Sequence, residues 1–268
     1  MTVQRPIGIM SAMPQEGDSI LHHITDREVV QVGSRQFFKG SLEKTPIVFA
    51  LAGVGKVSAA VTATLLCSRF NVREIIFTGV AGGGGESAIG DIVVGASYLQ
   101  HDLDLRPILP QFHIFSLNAQ LVHANTDLVN RMALAANRFF QRGVSFPSLN
   151  ILNPQVRTGV IVSGDQFIGS SAHHEKITES TKELLPGGFH AIEMEGAAVA
   201  QACQELQVPY VVVRSISDQA DHCASTQFPQ FLDEVAGHYS LAVLREYLHE
   251  TTLYHAGAGR SIEQAIEY

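Results

Sequence analysis

Charge is scarce in this 268-residue chain: Asp, Glu, Lys and Arg make up 16% of it, against 46% hydrophobic residues. Globular proteins carry about 25% charged residues, so the deficit points to a large core and a buried subunit interface. Lysine and arginine are dispersed, with no cluster to follow a nucleic-acid backbone. A net charge of −8 suits a small partner that is neutral or positively charged. Nucleic acid is excluded as a partner.

Cysteine is sparse as well. Cys67, Cys203 and Cys223 stand far apart and form no CxxC pair. That spacing argues against a disulfide framework or a zinc site and fits a reducing compartment. Cys67 and Cys203 fall in apolar helical stretches and read as small core residues. No apolar run approaches the roughly 20 residues of a membrane span. The start, MTVQRPIGIMSAM, lacks the charged-then-apolar layout of a signal peptide. The cytoplasm is the expected location, without membrane association. No Pro/Gly/Ser linker divides the chain, and its length fits one α/β domain. We expect that domain over 1–250 and a loosely attached tail over 251–268, which contains Ala256-Gly257-Ala258-Gly259.

What is present is an alternation of short β-rich runs with helical stretches. Ile7–Ala12, Ile47–Ala52, Ile75–Thr78, Ile92–Leu99, Val156–Ser163 and Tyr210–Ile216 read as strands, with a short one before Glu193. Lys56–Phe70, Asp127–Gln141, Ala172–Leu185, the stretch from Glu195 to about Leu206, and Pro229–Leu248 read as helices. The pattern predicts an α/β fold: a single-domain, three-layer α/β/α arrangement around a mixed, mostly parallel sheet. His101–Gln120, with two prolines and little periodicity, reads as a long loop.

Polar residues gather where these strands end. Glu193 and Glu195 flank Met194 at a strand-to-helix junction, and Arg214 and Asp218 leave the run Val211-Val212-Val213. Ligands of open α/β sheets bind beyond the carboxyl ends of strands, and acids placed there are costly unless used. Each has a plainer reading. Asp218 could cap a turn, Arg214 could serve a structural ion pair, and Glu16 could be a helix-start acid. Gly53-Val54-Gly55 suits ligand approach and tight packing about equally. Neither the dinucleotide fingerprint nor the Walker A spacing is met. His101-Asp102 with Asp104, and His173-His174-Glu175, lack metal-ligand spacing and read as a solvated loop and a helix start. Ser163-Gly164-Asp165 is no nucleophile elbow.

Taken in order, IGIMSAMPQE, AGVGKVSAA, TGVAGG, IGDIVV, VSGDQFI, AIEMEGAAVA and VVVRSISDQAD resemble the nucleoside phosphorylase/nucleosidase family. Within it the chain is most similar to the 5′-methylthioadenosine/S-adenosylhomocysteine nucleosidases, from Ile7 to about Leu248. The resemblance implies hydrolysis of the N-glycosidic bond of a 5′-substituted adenosine by water, in a homodimer, with no cofactor and no metal. It implies that Asp218 protonates N7 of adenine, Glu16 activates the water, and Arg214 helps to position it. Glu195 would hold the ribose hydroxyls, Met194 pack on the sugar, and Glu193 give support. Phe167 would stack on the base while Ile168 reads its edge. Met13, Val54 and Phe228 would line the 5′ side, and Ala81, Gly82 and Ser217 complete the substrate contacts.

Hydrolysis is favoured over phosphorolysis because Thr78 stands where related phosphorylases carry an arginine, and the Glu16 carboxylate would repel phosphate. Val80 replaces a small hydroxyl residue of many relatives, and the 101–120 loop departs too. The 5′ preference therefore stays open, futalosine-type nucleosides included. The rival readings are a purine nucleoside phosphorylase and a non-catalytic nucleoside-binding protein.

Overall fold

The computed structural model describes residues 4–249. In chain order its elements are β1 (Ile7–Ser11), α1 (Pro14–His22), β2 (Thr25–Val32), β3 (Arg35–Leu42), β4 (Thr45–Leu51) and α2 (Lys56–Ser68). They continue with β5 (Ile75–Gly83), β6 (Ile92–Gln100), β7 (Val122–His123), α3 (Thr126–Gln141), β8 (Val156–Ser163) and α4 (Ser171–Thr181). The last are β9 (Ala191–Glu193), α5 (Gly196–Glu205), β10 (Tyr210–Asp218) and α6 (Ala224–Phe231). A π-helical turn, Leu232–Ala236, joins α6 to a final helix over 237–249.

The strands make one mixed sheet with helices on both faces, as the alternation predicts. β4, β1, β5 and β10 lie parallel in that order, and β3 and β2 extend the β4 edge as an antiparallel hairpin. Beyond β10 the sheet curls. β10 pairs antiparallel with β6, β6 parallel with β8, β8 parallel with β9, and β9 antiparallel with the end of β5. These strands close into a ring.

Period-two alternation sorts β1 and β10 between two of the three hydrophobic clusters among the described residues. Ile7 and Ile9 of β1, with Val211 and Val213 of β10, face α1, α3 and the final helix, meeting Ile20, Met132 and Leu244. Met10 and Val212 face the other way, toward Ala59 and Ala63 of α2 and Ala200 and Cys203 of α5. Burying each large aliphatic side chain contributes roughly 1.5–3 kcal/mol. The small residues of α2 and α5 let those helices approach each other and the sheet closely.

Some elements differ from the sequence reading. β5 runs on from Thr78 to Gly83, although glycines rarely favour a strand. Arg214, Ala220 and Ser87 crowd that stretch and leave little room for larger residues. The β2–β3 hairpin carries little sequence signal, because β2 is an exposed edge strand with little apolar alternation. Helix α1 is absent from the sequence reading, though Pro14 at its first turn and Glu16 in N3 are start signals. The last helical stretch starts before Pro229. Asp221 turns the chain early, its carboxylate accepting from Cys223 N at 2.8 Å and its carbonyl from Ala224 N at 3.2 Å. Helix α4 ends at Thr181, short of Leu185.

Among the described residues no helix is long and apolar enough to cross a membrane. The expected tail, 251–268, lies outside them.

Candidate active site

A cavity of about 370 Å³ opens where these strands end. Its walls include the turn after β1, the end of β5, the junction after β9, the end of β10 and the loop after β8. Apolar side chains predominate: Met13, Val54, Val80, Phe167, Ile168, Met194 and Phe228. Glu16, Glu193, Glu195 and Asp218 also line it, and among the described residues no lysine or arginine does. Such a site favours a ligand with an apolar body and a region of positive charge.

Glu16 is buried, and backbone amides hold its carboxylate. Oε2 accepts from Ala12 N and Met13 N, each at 2.9 Å, and Oε1 accepts from Val80 N at 3.0 Å. The helix start thus spends its acid on the strand ends, and the side chain faces the cavity. Burial raises the Glu16 pKa, offset in part by the Arg214 charge and by these amides. The Val80 contact goes through the backbone, so replacing a hydroxyl residue by valine keeps this bond.

Arg214 is fully buried. Its Nε donates to Glu193 Oε2 at 3.1 Å, its Nη2 donates to the same oxygen, and Nη2 reaches Glu195 Oε2 at 3.4 Å. The guanidinium lies over the Phe77 ring, 4.1 Å from its centroid. Glu193 also accepts from the amides of Glu195 and Gly196 and from the Ser163 hydroxyl, which itself accepts from Ala197 N. This network locks the β9–α5 junction, and Glu195 is left facing the cavity. Its Oε1 accepts from Gly55 N at 2.8 Å. Burial and the neighbouring Glu193 charge push the Glu195 pKa up to about 8.

Asp218 ends β10. Its Oδ1 accepts from Ala220 N at 2.8 Å, and its Oδ2 from the Ser217 hydroxyl at 2.8 Å. Ser217 Oγ also lies 3.2 Å from the carbonyl of Ala81. Burial raises the Asp218 pKa, opposed by the Ser217 and Ala220 hydrogen bonds. Across the cavity Phe167 packs edge-on to Phe228, with centroids 5.4 Å apart. Phe167 is half exposed, so this pair forms a rim.

The structure brings nearly all the residues singled out from sequence to one cavity: Met13, Glu16, Val54, Ala81, Gly82, Phe167, Ile168, Glu193, Met194, Glu195, Asp218 and Phe228. Arg214 and Ser217 do not line it. Each stands behind a carboxylate that does, where a strand buried on both sides places it. Gln166 lines the cavity and was not anticipated, although its position beside Phe167 was a signal. In the 101–104 stretch Asp102 and Asp104 are exposed, as a solvated loop requires, and the departure is at His101. His101 is buried, and Asp102 pairs with Lys56. His173–Glu175 do begin a helix, α4, capped by Ser170. Asp221, His222 and Cys223 place potential metal-ligand atoms within 4.8 Å of one another, but none of them lines the cavity.

The sequence model of the phosphorylase superfamily matches residues 6–249. A 5′-methylthioadenosine/S-adenosylhomocysteine nucleosidase of Mycobacterium bovis is 34% identical over 249 residues, covering 89% of this chain and 95% of the relative. The corresponding nucleosidase of Neisseria meningitidis, solved with methylthio-immucillin-A, superposes with a TM-score of 0.78 at 29% identity. That match covers 91% of this chain and 99% of the other. Futalosine hydrolase of Helicobacter pylori is as similar, with a TM-score of 0.79 at 33% identity over 92% of this chain and 98% of the other. By the match over nearly its whole length, the chain belongs to the phosphorylase superfamily.

Proposed function

We propose that this protein is an N-glycosyl hydrolase that releases adenine from 5′-substituted adenosines, with 5′-methylthioadenosine and S-adenosylhomocysteine as substrates. One observation carries the choice of water over phosphate. The Glu16 carboxylate is fixed by backbone amides inside a cavity that no lysine or arginine lines among the described residues. An anionic nucleophile would meet like charge there; water meets a base.

The chemistry follows from the placement. Asp218, with its pKa raised by burial, delivers a proton to N7 of the adenine. When Asp218 holds that proton it can donate to Ser217, whose own hydroxyl then turns to the Ala81 carbonyl. The C1′–N9 bond breaks with its electron pair going to the base, and positive charge develops on the ribose. Glu195 and Glu16 face that charge, the electrostatic contribution that most often dominates catalysis. Glu16 takes a proton from water as the oxygen bonds to C1′, and adenine and the free sugar leave. Arg214 acts at one remove, setting the carboxylates of Glu193 and Glu195. Phe167 and Ile168 hold the base, and Met13, Val54 and Phe228 hold the 5′ substituent. No metal or cofactor enters this scheme. The working unit is a homodimer.

The futalosine hydrolase likeness keeps a second nucleoside substrate in view. The deciding experiment is a panel of 5′-substituted nucleosides assayed for free base with and without phosphate. Adenine release from methylthioadenosine without phosphate is expected. Strict phosphate dependence would replace the hydrolase with a phosphorylase, and binding without turnover would leave a nucleoside-binding protein.

A further inference from the structure

Outside the cavity, a closed triangle of polar contacts joins loops that follow different strands. Asp102, just after β6, accepts from Lys56 Nζ through Oδ1 at 2.5 Å and from Asp165 N through Oδ2 at 2.9 Å. Lys56 N in turn donates to Asp165 Oδ1 at 2.8 Å. Each member thus bonds to both others, and Gln100 steadies the lysine, its Oε1 accepting from Nζ at 3.2 Å. None of the three lines the cavity.

The covalent neighbours of this triangle do line or shape the cavity. Gly55, immediately before Lys56, donates its amide to Glu195 Oε1 at 2.8 Å. Gly55 has φ +95°, and a Cβ there would stand 3.1 Å from Asp165 Oδ1, so turn and triangle are packed against each other. Gln166 and Phe167, which follow Asp165, line the cavity together with Glu195. We propose that Asp102 is a positioning residue that, through Lys56 and Asp165, holds the ribose side and the base side of the cavity in fixed relation. This rests on the nucleoside reading above.

An exposed ion pair contributes little to global stability. Here the Lys56 and Asp102 side chains are 16% and 32% exposed, and they lie at a junction of loops. Fixing two walls before the ligand arrives lowers the ordering cost of binding. The pair is partly shielded, so the effect on substrate affinity should exceed a modest effect on fold stability. The affinity effect belongs to ligands that touch both walls, more than to those that touch one.

The test uses Asp102→Asn, which keeps an acceptor for the Asp165 amide, Asp102→Ala, which keeps none, Lys56→Met, and the double variant Asp102→Ala/Lys56→Met. With methylthioadenosine, Asp102→Ala should raise KM about tenfold, Asp102→Asn by less, with little change in kcat. The inhibition constant of free adenine, which touches one wall, should move less than KM. The double variant should be no worse than Asp102→Ala alone, the signature of residues acting as one unit. Unfolding midpoints should stay within about 2 °C of wild type. Unchanged KM, additive losses, or KM changes matched by falling midpoints would each overturn the proposal. Calorimetric binding of the same nucleoside reads the series independently of turnover. A wild type that binds but does not cleave would remove the hydrolase reading alone, and one that does neither would remove both.

Discussion

Gly79 packs closely against both Arg214 and Glu16. A Cβ built on it would stand 2.3 Å from Arg214 Nη1 and 2.7 Å from Glu16 Oε1. Both neighbours are held by their own hydrogen bonds, so neither can yield cheaply. Gly79→Ala should therefore displace the proposed base or the arginine that sets the carboxylates, and cut adenine release by about a hundredfold or more. Steady-state assays check this; a variant with near-wild-type turnover would show that the contact is more tolerant than its geometry implies.

Asp218→Asn removes the proton donor and keeps the shape. Turnover with adenine nucleosides should fall by about 10²–10⁴, while calorimetric affinity stays within a few-fold of wild type. Undiminished adenine release would show that leaving-group protonation does not depend on Asp218.

Arg214 is the charge centre of the buried network. Arg214→Ala leaves the Glu193 and Glu195 carboxylates facing each other without their cation. Removing one partner of such a pair costs about 3–5 kcal/mol, which urea denaturation should detect as a lower midpoint. A loss within the scatter typical of surface substitutions would mean that the network relaxes easily.

Glu195 gives stability a pH dependence. Its pKa is raised from 4.5 to about 8, first by burial and then by the Glu193 charge. Between those values the folded protein binds protons that the unfolded chain has released, so the free protein loses stability as pH rises through the window. Glu16 and Asp218, also raised by burial, act in the same direction. Thermal unfolding from about pH 5 to about pH 9 should show a declining midpoint, and Glu195→Gln should flatten the decline. Equal slopes in the two proteins would place the Glu195 pKa near its ordinary value.

Of the cysteines, Cys67 and Cys203 are buried and Cys223 is partly exposed. Thiol access governs reaction with disulfide reagents. In the native protein Cys223 should react fast and the other two only on unfolding. Fast labelling that persists in Cys223→Ser would show that the α2–α5 contact opens readily.

The sequence by itself determined the alternation of strands and helices, because apolar periodicity is a local property. It also marked the four cavity carboxylates, Glu16, Glu193, Glu195 and Asp218, since acids at strand ends stand out against lean charge, while the other predicted cavity residues came from the family resemblance. The plainer readings were partly correct too: Asp218 does accept from a turn amide, Glu16 does sit in a helix start, and Arg214 is in a buried ion pair. Only the tertiary structure decided what joins what. The curling of the sheet from β10 through β6, β8 and β9 back to β5 depends on pairings between distant segments, which no local pattern encodes. That closure puts Arg214 behind the wall and Glu195 in it, and lets Asp102 bond with Lys56 and Asp165. Sequence names the residue types available for chemistry; chain closure sets which of them touch the ligand and which hold the others in place.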